Sequence, residues 1–556
     1  MTATPATPPD VLDQARAWLA EDPDRDTQAE LAALVERAEA GDSEALADLG
    51  DRFAGRLEFG TAGLRGELGA GPNRMNRSVV QRAAAGLASY LRTAGASSVV
   101  VGYDARHKSA LFARDTAGVL AGGGLRCYLL PRPLPTPVAA FAIGHLGADA
   151  AVVVTASHNP PQDNGYKVYV GRSQIVPPTD AEISAAIDAV GPLASIPTAE
   201  GGWATLGEDV LDAYLDRAVR VLDPASPRDL RITYTPLHGV GGAVVAAAMA
   251  RAGFAAPAEV ASQFAPDPDF PTVAFPNPEE PGVMDAAFEV AVATDAELVV
   301  ANDPDADRCA VAIPVDGGWR MLRGDEVGVL LAVHLLRRHS DLAGTLATTI
   351  VSSSLLGKIA SSHGLPYVET LTGFKWLTRV PGLRYAYEEA LGYCTDPDGV
   401  LDKDGITALL LVAELAATQR AAGSDLAALL DEIAVEYGLH ATDQLSVRVD
   451  DQAEIAAAMA RLREAPPTHL GDRTVERVDD LALGSADLPP TDGLRLRLDR
   501  GGRIVVRPSG TEPKIKCYLE VVLPVEAGDV AAARVRAARE LADLRTALAA
   551  AAGLPQ

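Results

Sequence analysis

Short apolar runs and longer segments with apolar residues three and four apart alternate through most of this chain. The runs Ser98 to Tyr103, Arg126 to Leu130, Ala151 to Val154, Arg231 to Thr235, Leu298 to Ala301 and Thr345 to Val351 read as strands, most of them buried on both faces. Between them, Ser78 to Thr93, Ser109 to Ala121, a segment from Ala243, Asp285 to Thr294, Val327 to His339 and Ser354 to His363 carry the helical period. A strand at Tyr385 to Tyr387 and an Ala/Leu helix from Ile406 to Ala421 close the series. This alternation predicts α/β layers with largely parallel sheets. It falls into three stretches of like design with no residue-level repeat between them.

Ahead of the series, Asp10 to Asp51 predicts two acidic amphipathic helices, and residues 1 to about 10 read as a frayed Pro/Thr-rich start. Gly171 to Gly202 is poor in pattern, and Ala265 to Pro281 is a Pro-rich loop. From about Leu445 the pattern changes. Strands Leu445 to Val449, Leu494 to Leu498, Arg503 to Pro508 and Lys516 to Val522, a helix Gln452 to Arg463 and an Ala-rich C-terminal helix predict a small α+β domain. The expected fold class is thus α/β: three similar mixed-sheet domains over residues 1–204, 205–314 and 315–440, and a C-terminal α+β domain over 441–556.

Composition narrows the function. A chain of 556 residues is too long for one core. A formal net charge of −26 argues against general binding to nucleic acid or to anionic membranes. An anionic substrate would then need a locally basic pocket. The four cysteines (Cys127, Cys309, Cys394, Cys517) are far apart, which fits reduced thiols in a cytoplasmic protein better than disulfides or zinc. The N-terminal residues lack the pattern of a signal peptide. The apolar helices near Val327 and Leu409 are too short, and too interrupted by His334, Arg337 and Glu414, to span a bilayer.

Four loops carry candidate chemistry. The strand Ala151 to Val154 breaks into T-A-S-H-N-P, which presents Ser157 at a sheet rim beside His158, with Lys167 a short turn away. Alone, this is a polar turn or a Ser-His nucleophile. The strand ending at Ala301 runs into N-D-P-D-A-D-R, with Asp303, Asp305 and Asp307 at alternate positions. Three such charges repel unless a cation sits among them, and all-oxygen ligation selects Mg²⁺ or Ca²⁺. An EF-hand is excluded, because Arg308 and Pro314 stand where that loop needs Gly and Glu. A solvated acidic turn is the alternative. Glu388 and Glu389 lie in a glycine loop, suited to sugar hydroxyls or simply surface charge. R-P-S-G-T-E-P-K (Arg507 to Lys514) offers an arginine, two hydroxyls, a glycine and a lysine, the donors a phosphate dianion needs. Gly60 to Gly66 surround Arg65, and Asp104-Ala105-Arg106 ends the strand at Tyr103. P-L-H-G-V-G-G (Pro236 to Gly242) fails a dinucleotide fingerprint at Val244 and reads as a glycine turn opening a helix, with some capacity to cradle an anion.

The four loops in this order, with F-G-T-A-G-L-R-G, T-G-F-K-W and L-D-K-D-G, resemble the α-D-phosphohexomutase superfamily from about Phe59 to Val522, and most of all its phosphoglucomutase and phosphopentomutase branch. The resemblance implies a phosphosugar mutase interconverting glucose 1-phosphate and glucose 6-phosphate through glucose 1,6-bisphosphate, with phosphopentomutase or phosphomannomutase as alternatives. Ser157 would be the phosphorylated nucleophile. One Mg²⁺ would be held by Asp303, Asp305, Asp307 and Ser157. Arg65 and Arg308 would face the transferring phosphoryl group, and Lys167 and His158 would handle protons, Lys167 as the base. Lys375, Glu388 and Glu389 would meet the sugar. Arg507, Ser509, Gly510, Thr511 and Lys514 would grip the second phosphate. It further implies a central cleft among four domains, small-molecule sugar phosphates as partners, and a monomer or weak homodimer. The sequence departs from the common E-E-S-G or E-E-S-x-G sugar loop at Ala390. Outside this class, an aspartyl phosphatase using Asp305-x-Asp307 and a sugar-phosphate sensor are the competing readings.

Overall fold

Helix formation at the start of the chain is set by two aspartates. Asp24 and Asp42 sit in extended backbone, and their carboxylates accept from Asp26 N, and from Glu44 N and Ala45 N, as N-caps. The computed structural model describes residues 8–60, 63–339, 342–449, 452–509 and 514–554. Three helices precede the first sheet, Pro8–Glu21, Arg25–Glu39 and Ser43–Arg52, where two were expected. The third buries only Ala45 and Leu49, too short a stripe to show a period by itself.

The three sheets share one wiring. In the first, Ser98–Tyr103, Arg126–Leu129 and Ala150–Val154 are parallel, and Asp163–Val170 returns antiparallel against the last. In the second, Ile232–Thr235, Ala258–Glu259 and Leu298–Ala301 are parallel and Ala310–Val315 returns. In the third, Thr345–Thr349, Tyr367–Thr370 and Leu383–Glu388 are parallel and Gly392–Cys394 returns. Taken in chain order, each set of four lies side by side as second, first, third, fourth. The crossover from second to third strand passes over the first, so the sheet has its switch point between first and third, beyond their C-terminal ends. The first sheet adds Leu64–Glu67 outside Asp163–Val170, and Ala204–Thr205 at the other edge. Gly318–Met321 extends the second sheet past residue 314.

Helices Asp209–Ala218 and Leu426–Tyr437 also lie outside the expected series, and two more lie where no pattern announced them. Thr136–Leu146 is apolar all round and buried from Thr136 to Ile143, so it has no polar face to reveal a period. Thr179–Asp188, within the stretch of weak pattern, buries a single residue, Ile183. The C-terminal domain is an antiparallel sheet in the order Leu439–Arg448, Lys514–Leu523, Arg503–Pro508, Leu494–Leu498, Arg473–Asp480, His469–Leu470. Helices Gln452–Glu464 and Val530–Ala552 belong to the same domain, whose core includes Leu496, Ile504, Cys517 and Leu544. Burying each such leucine or isoleucine side chain contributes about 1.5–3 kcal/mol.

By contacts the chain forms two units, residues 1–321 with 396–413, and residues 322–395 with 414–556. All four cysteines are free and buried. Among the described residues, no helix is long and apolar enough to cross a membrane.

Candidate active site

Each candidate loop of the three α/β sheets follows the same strand. Ser157 lies beyond Ala150–Val154, Asp303 beyond Leu298–Ala301, and Glu388 ends Leu383–Glu388, the third strand of its set in every case. The wiring therefore delivers these side chains to the rim beside each switch point.

In the first unit, Ser157 is 3% exposed and has φ +52°. A non-glycine residue in left-handed backbone costs about 1–3 kcal/mol and persists only where its surroundings fix it. Here Thr155 Oγ1 accepts from Ser157 N at 2.9 Å, and Ser157 Oγ donates to Asp303 Oδ2 at 2.8 Å. Lys167 reaches the same place from Asp163–Val170, which pairs Lys167 with Val153. Its Nζ donates to Asp305 Oδ2 at 2.7 Å and Asp307 Oδ2 at 2.8 Å. Arg65 comes from Leu64–Glu67 on the other side of that strand and donates to Asn159 Oδ1 at 3.4 Å. Gly63, with φ +78°, admits this strand because a Cβ there would lie 1.7 Å from the Tyr166 carbonyl oxygen.

The three aspartates are fully buried, and one oxygen of each lies within 4.8 Å of the others. At that separation two carboxylates repel by roughly 3 kcal/mol at an effective dielectric of ~20. Burial, then Asp305 and Asp307, push the Asp303 carboxyl up to about 8. Asp307 moves the other way: burial opposes its ionisation, but Lys167, Lys403 and Arg308 outweigh it and hold it far below the usual range. Lys167 is opposed by burial and held protonated by Asp305 and Asp307. Arg308 Nε lies 3.9 Å from both Asp303 Oδ2 and Asp307 Oδ1. Asp305 Oδ1 and Asp307 Oδ1 are buried and accept no hydrogen bond among the described residues. Buried carboxylate oxygens without donors, converging with a hydroxyl, fit a hard divalent cation. Burial first, then Arg308 and Arg65, hold His158 neutral, and its Nδ1 has no hydrogen-bond partner among the described residues.

Two residues here were not singled out as site residues from the sequence. Thr136 donates from Oγ1 to Asp305 Oδ2 at 2.6 Å and from its backbone N to Asp305 O at 2.9 Å, so the unannounced helix begins on the Asp loop. Lys403, in L-D-K-D-G, is 8% exposed with Nζ 3.3 Å from Asp307 Oδ2. Its neighbours fix it: Asp402 accepts from Tyr169 Oη at 2.7 Å and Gln174 Nε2 at 2.6 Å, and Asp404 accepts from Tyr214 Oη at 2.9 Å. A lysine between two aspartates before a glycine was the available signal. The glycine turn after Thr235 packs on the Asp loop: a Cβ on Gly239 would lie 2.3 Å from Pro304 Cα, and Val240 N donates to Pro304 O at 2.8 Å.

The second unit carries the other candidates. Glu388 is buried at its strand end. The Glu389 carboxylate accepts from Ser352 Oγ at 3.0 Å and Thr349 Oγ1 at 3.2 Å. Leu391 turns the loop with φ +61°. Gly324 packs beneath it, where a Cβ would lie 2.0 Å from Glu389 O. Lys375 lies in the one-turn helix Phe374–Leu377. Arg507 is on Arg503–Pro508, and Ser509 N donates to Lys514 O at 2.8 Å, closing the base of the loop. Gly510 and Thr511 lie outside the described residues.

Comparison with known proteins agrees with the repeated wiring. Family profiles described as phosphoglucomutase/phosphomannomutase alpha/beta/alpha domains I, II and III match residues 56–192, 212–317 and 323–437, and the C-terminal domain of the same family matches 445–538. A Haemophilus influenzae protein named "Probable phosphomannomutase" is 45% identical over 456 residues, 80% of this chain and 93% of that protein. The human protein named phosphopentomutase is 36% identical over 529 residues, 85% of this chain and 86% of that protein. The crystal structure of a phosphoglucomutase/phosphomannomutase family protein from Burkholderia thailandensis shares the fold with TM-score 0.69 at 23% identity, covering 89% of this chain and 98% of that one.

Proposed function

The chain belongs to the phosphoglucomutase/phosphomannomutase family of the α-D-phosphohexomutase superfamily, and we propose from this premise that it is a phosphosugar mutase working through phospho-Ser157. The observation that carries the reading is the Ser157 hydroxyl, fixed in left-handed backbone and hydrogen-bonded at 2.8 Å to Asp303 in a buried triple-aspartate cluster.

Asp303, Asp305 and Asp307, with an oxygen on Ser157, would hold Mg²⁺. Bound there, the ion would offset charge on the phosphoserine and, by drawing on the carboxylates now paired with Lys167, lower that amine's proton affinity. Phospho-Ser157 hands its phosphoryl group to a free hydroxyl of the sugar 1-phosphate. The hydroxyl oxygen forms the new P–O bond, the bond to Ser157 Oγ breaks, and Lys167 takes the hydroxyl proton. The bisphosphate turns over, Ser157 recovers the phosphate from carbon 1, and the sugar leaves with its phosphate on the terminal carbon. Arg65 and Arg308 contribute positive charge to the phosphoryl group in flight. Arg507, Ser509, Gly510, Thr511 and Lys514 would hold the phosphate at rest, and Lys375, Glu388 and Glu389 the sugar. The conserved number of phosphates makes the reaction an isomerisation, which separates it from an aspartyl phosphatase.

Intact-protein mass after incubation with glucose 1,6-bisphosphate tests the reading. One phosphate mapping to Ser157 is expected. Turnover of sugar phosphates with Ser157 never phosphorylated, or phosphate on an aspartate, overturns it.

We take glucose as the first sugar, with glucose 1,6-bisphosphate as intermediate. A pentose is the second reading, supported by the similarity to a phosphopentomutase and by the missing hydroxyl at Ala390. The ratio of kcat/KM for glucose 1-phosphate and ribose 1-phosphate separates them. Ala390→Ser is expected to shift that ratio toward glucose by roughly fivefold, the worth of one net hydrogen bond. No shift, or a shift toward ribose, removes Ala390 from the choice of sugar.

A further inference from the structure

Beyond each first strand lies a second loop, and in all three sheets it grips the loop that carries the chemistry. Asp104-Ala105-Arg106 follows Ser98–Tyr103, Leu237-His238-Gly239 follows Ile232–Thr235, and Ser352 follows Thr345–Thr349. Gly239 and Val240 meet Pro304 of the Asp loop, and Ser352 meets Glu389. The first of these grips is the densest.

Arg106 is 4% exposed, and its guanidinium donates to four backbone carbonyls of the Ser157 loop. Nη2 donates to Ser157 O at 2.7 Å and also to Asn159 O. Nη1 donates to Pro160 O at 2.8 Å and Asp163 O at 3.1 Å. The guanidinium lies 4.9 Å from the centroid of the Phe270 ring. Asp104 Oδ2 is 3.5 Å from Arg106 Nε, and Asp104 is fixed in turn by Ser109 Oγ at 2.6 Å. A planar cation with donors in a rigid fork can gather several carbonyls at once, and a single ammonium cannot. Left-handed Ser157 stays in place because its neighbours over-determine it, and Arg106 ties its carbonyl and those of Asn159, Pro160 and Asp163 to one guanidinium.

We propose that Arg106 is a positioning residue for phosphoryl transfer, holding the Ser157 loop at the distance and angle the transfer requires, and that Ser352 does the same for the Glu389 carboxylate in the sugar loop. The proposal rests on Ser157 as the phosphate carrier. It makes the first-strand loops a supporting layer repeated in the domains, each acting on a different step.

The two roles predict opposite kinetic signatures. Arg106→Met should lower kcat about 100-fold, the scale of a misplacement near 1 Å, with KM for the sugar phosphate within about threefold. Arg106→Lys should fall between, at about tenfold in kcat. Ser352→Ala should raise KM about fivefold with kcat within about twofold. Single-turnover transfer from phospho-Ser157 to glucose 1-phosphate and thermal melting are measured on every variant. Slowed transfer in a variant that melts like wild type supports the proposal. Wild-type kcat in folded Arg106→Met, whatever its melting temperature, overturns it for Arg106. If Arg106→Met does not fold, Arg106→Lys decides by the same measure. A Ser352→Ala variant with unchanged KM overturns the second half. Wild-type Ser157 that never takes up phosphate is a distinct result and defeats the mutase reading itself.

Discussion

Replacing Ser157 by alanine is expected to lower mutase turnover at least ~10⁴-fold, with little change in stability. The hydroxyl oxygen is the only heavy atom lost. Its one side-chain hydrogen bond among the described residues, to Asp303 at 2.8 Å, ends on a carboxyl that burial and two neighbouring carboxylates already favour in its protonated form. The backbone bonds that shape the loop, Ser157 N to Thr155 Oγ1 and Arg106 to Ser157 O, do not need the side chain. In the proposed reaction Ser157 is the carrier: the sugar's first phosphate must leave and another must arrive, and without Ser157 neither has a partner. Assayed with glucose 1-phosphate and a trace of glucose 1,6-bisphosphate, activity above ~1% of wild type would refute the covalent role.

Asp303→Asn should separate stability from catalysis. In chelator at neutral pH the Asp303 carboxyl is already largely protonated, so the neutral amide replaces a neutral acid and the variant should melt close to wild type, and above it only as the pH rises past about 8. Mg²⁺ should then raise the melting temperature of the wild type, as a ligand that binds only the folded state must, and leave the variant nearly unchanged. Turnover should drop about 10²–10³-fold, the cost of losing one electrostatic partner at a phosphoryl site. The pH dependence follows from the raised Asp303 carboxyl, at about 8 in the folded chain against its ordinary 3.8. A folded-state value above the unfolded one means that the folded chain binds the extra proton in between. Metal-free wild type therefore loses stability as pH rises from about 4 through about 8, and Asp303→Asn should lose less over the same range. Equal Mg²⁺ stabilisation of both proteins would remove Asp303 from the metal site.

Much of the fold was legible because burial on both faces of a parallel strand writes itself as a continuous apolar run. Ala150–Val154 and Leu298–Ala301 are such runs, and each ends where small and polar residues begin. Several elements that escaped notice lacked contrast, although Asp209–Ala218 and Leu426–Tyr437 were missed with a regular buried stripe. Thr136–Leu146 is apolar on every side, and Thr179–Asp188 has one buried residue. The helix at Ser43–Arg52 is too short to show a period.

The site divides in the same way. Residue type and local spacing singled out Ser157, the alternate aspartates and the Arg507 loop as candidates, with a polar turn the alternative at Ser157, and the family resemblance supplied the roles they are expected to play. Which groups meet across the chain was not local. Lys167 and Asp305 are 138 residues apart and 2.7 Å distant, Thr136 and Asp305 are 169 apart and 2.6 Å distant, and Lys403 reaches Asp307 from beyond the third sheet. The strand order brings each loop to the rim of its own sheet, but these pairs join the first sheet and the segment around Lys403 to the Asp loop of the second sheet, so they depend on packing between sheets. The sequence by itself determined the reagents: a hydroxyl, three carboxylates and the cations able to balance them. Only the tertiary structure decided their partners, and with them that Arg106 clamps the serine loop, since a hydrogen bond selects by distance and angle and carries no mark in the order of residues along the chain.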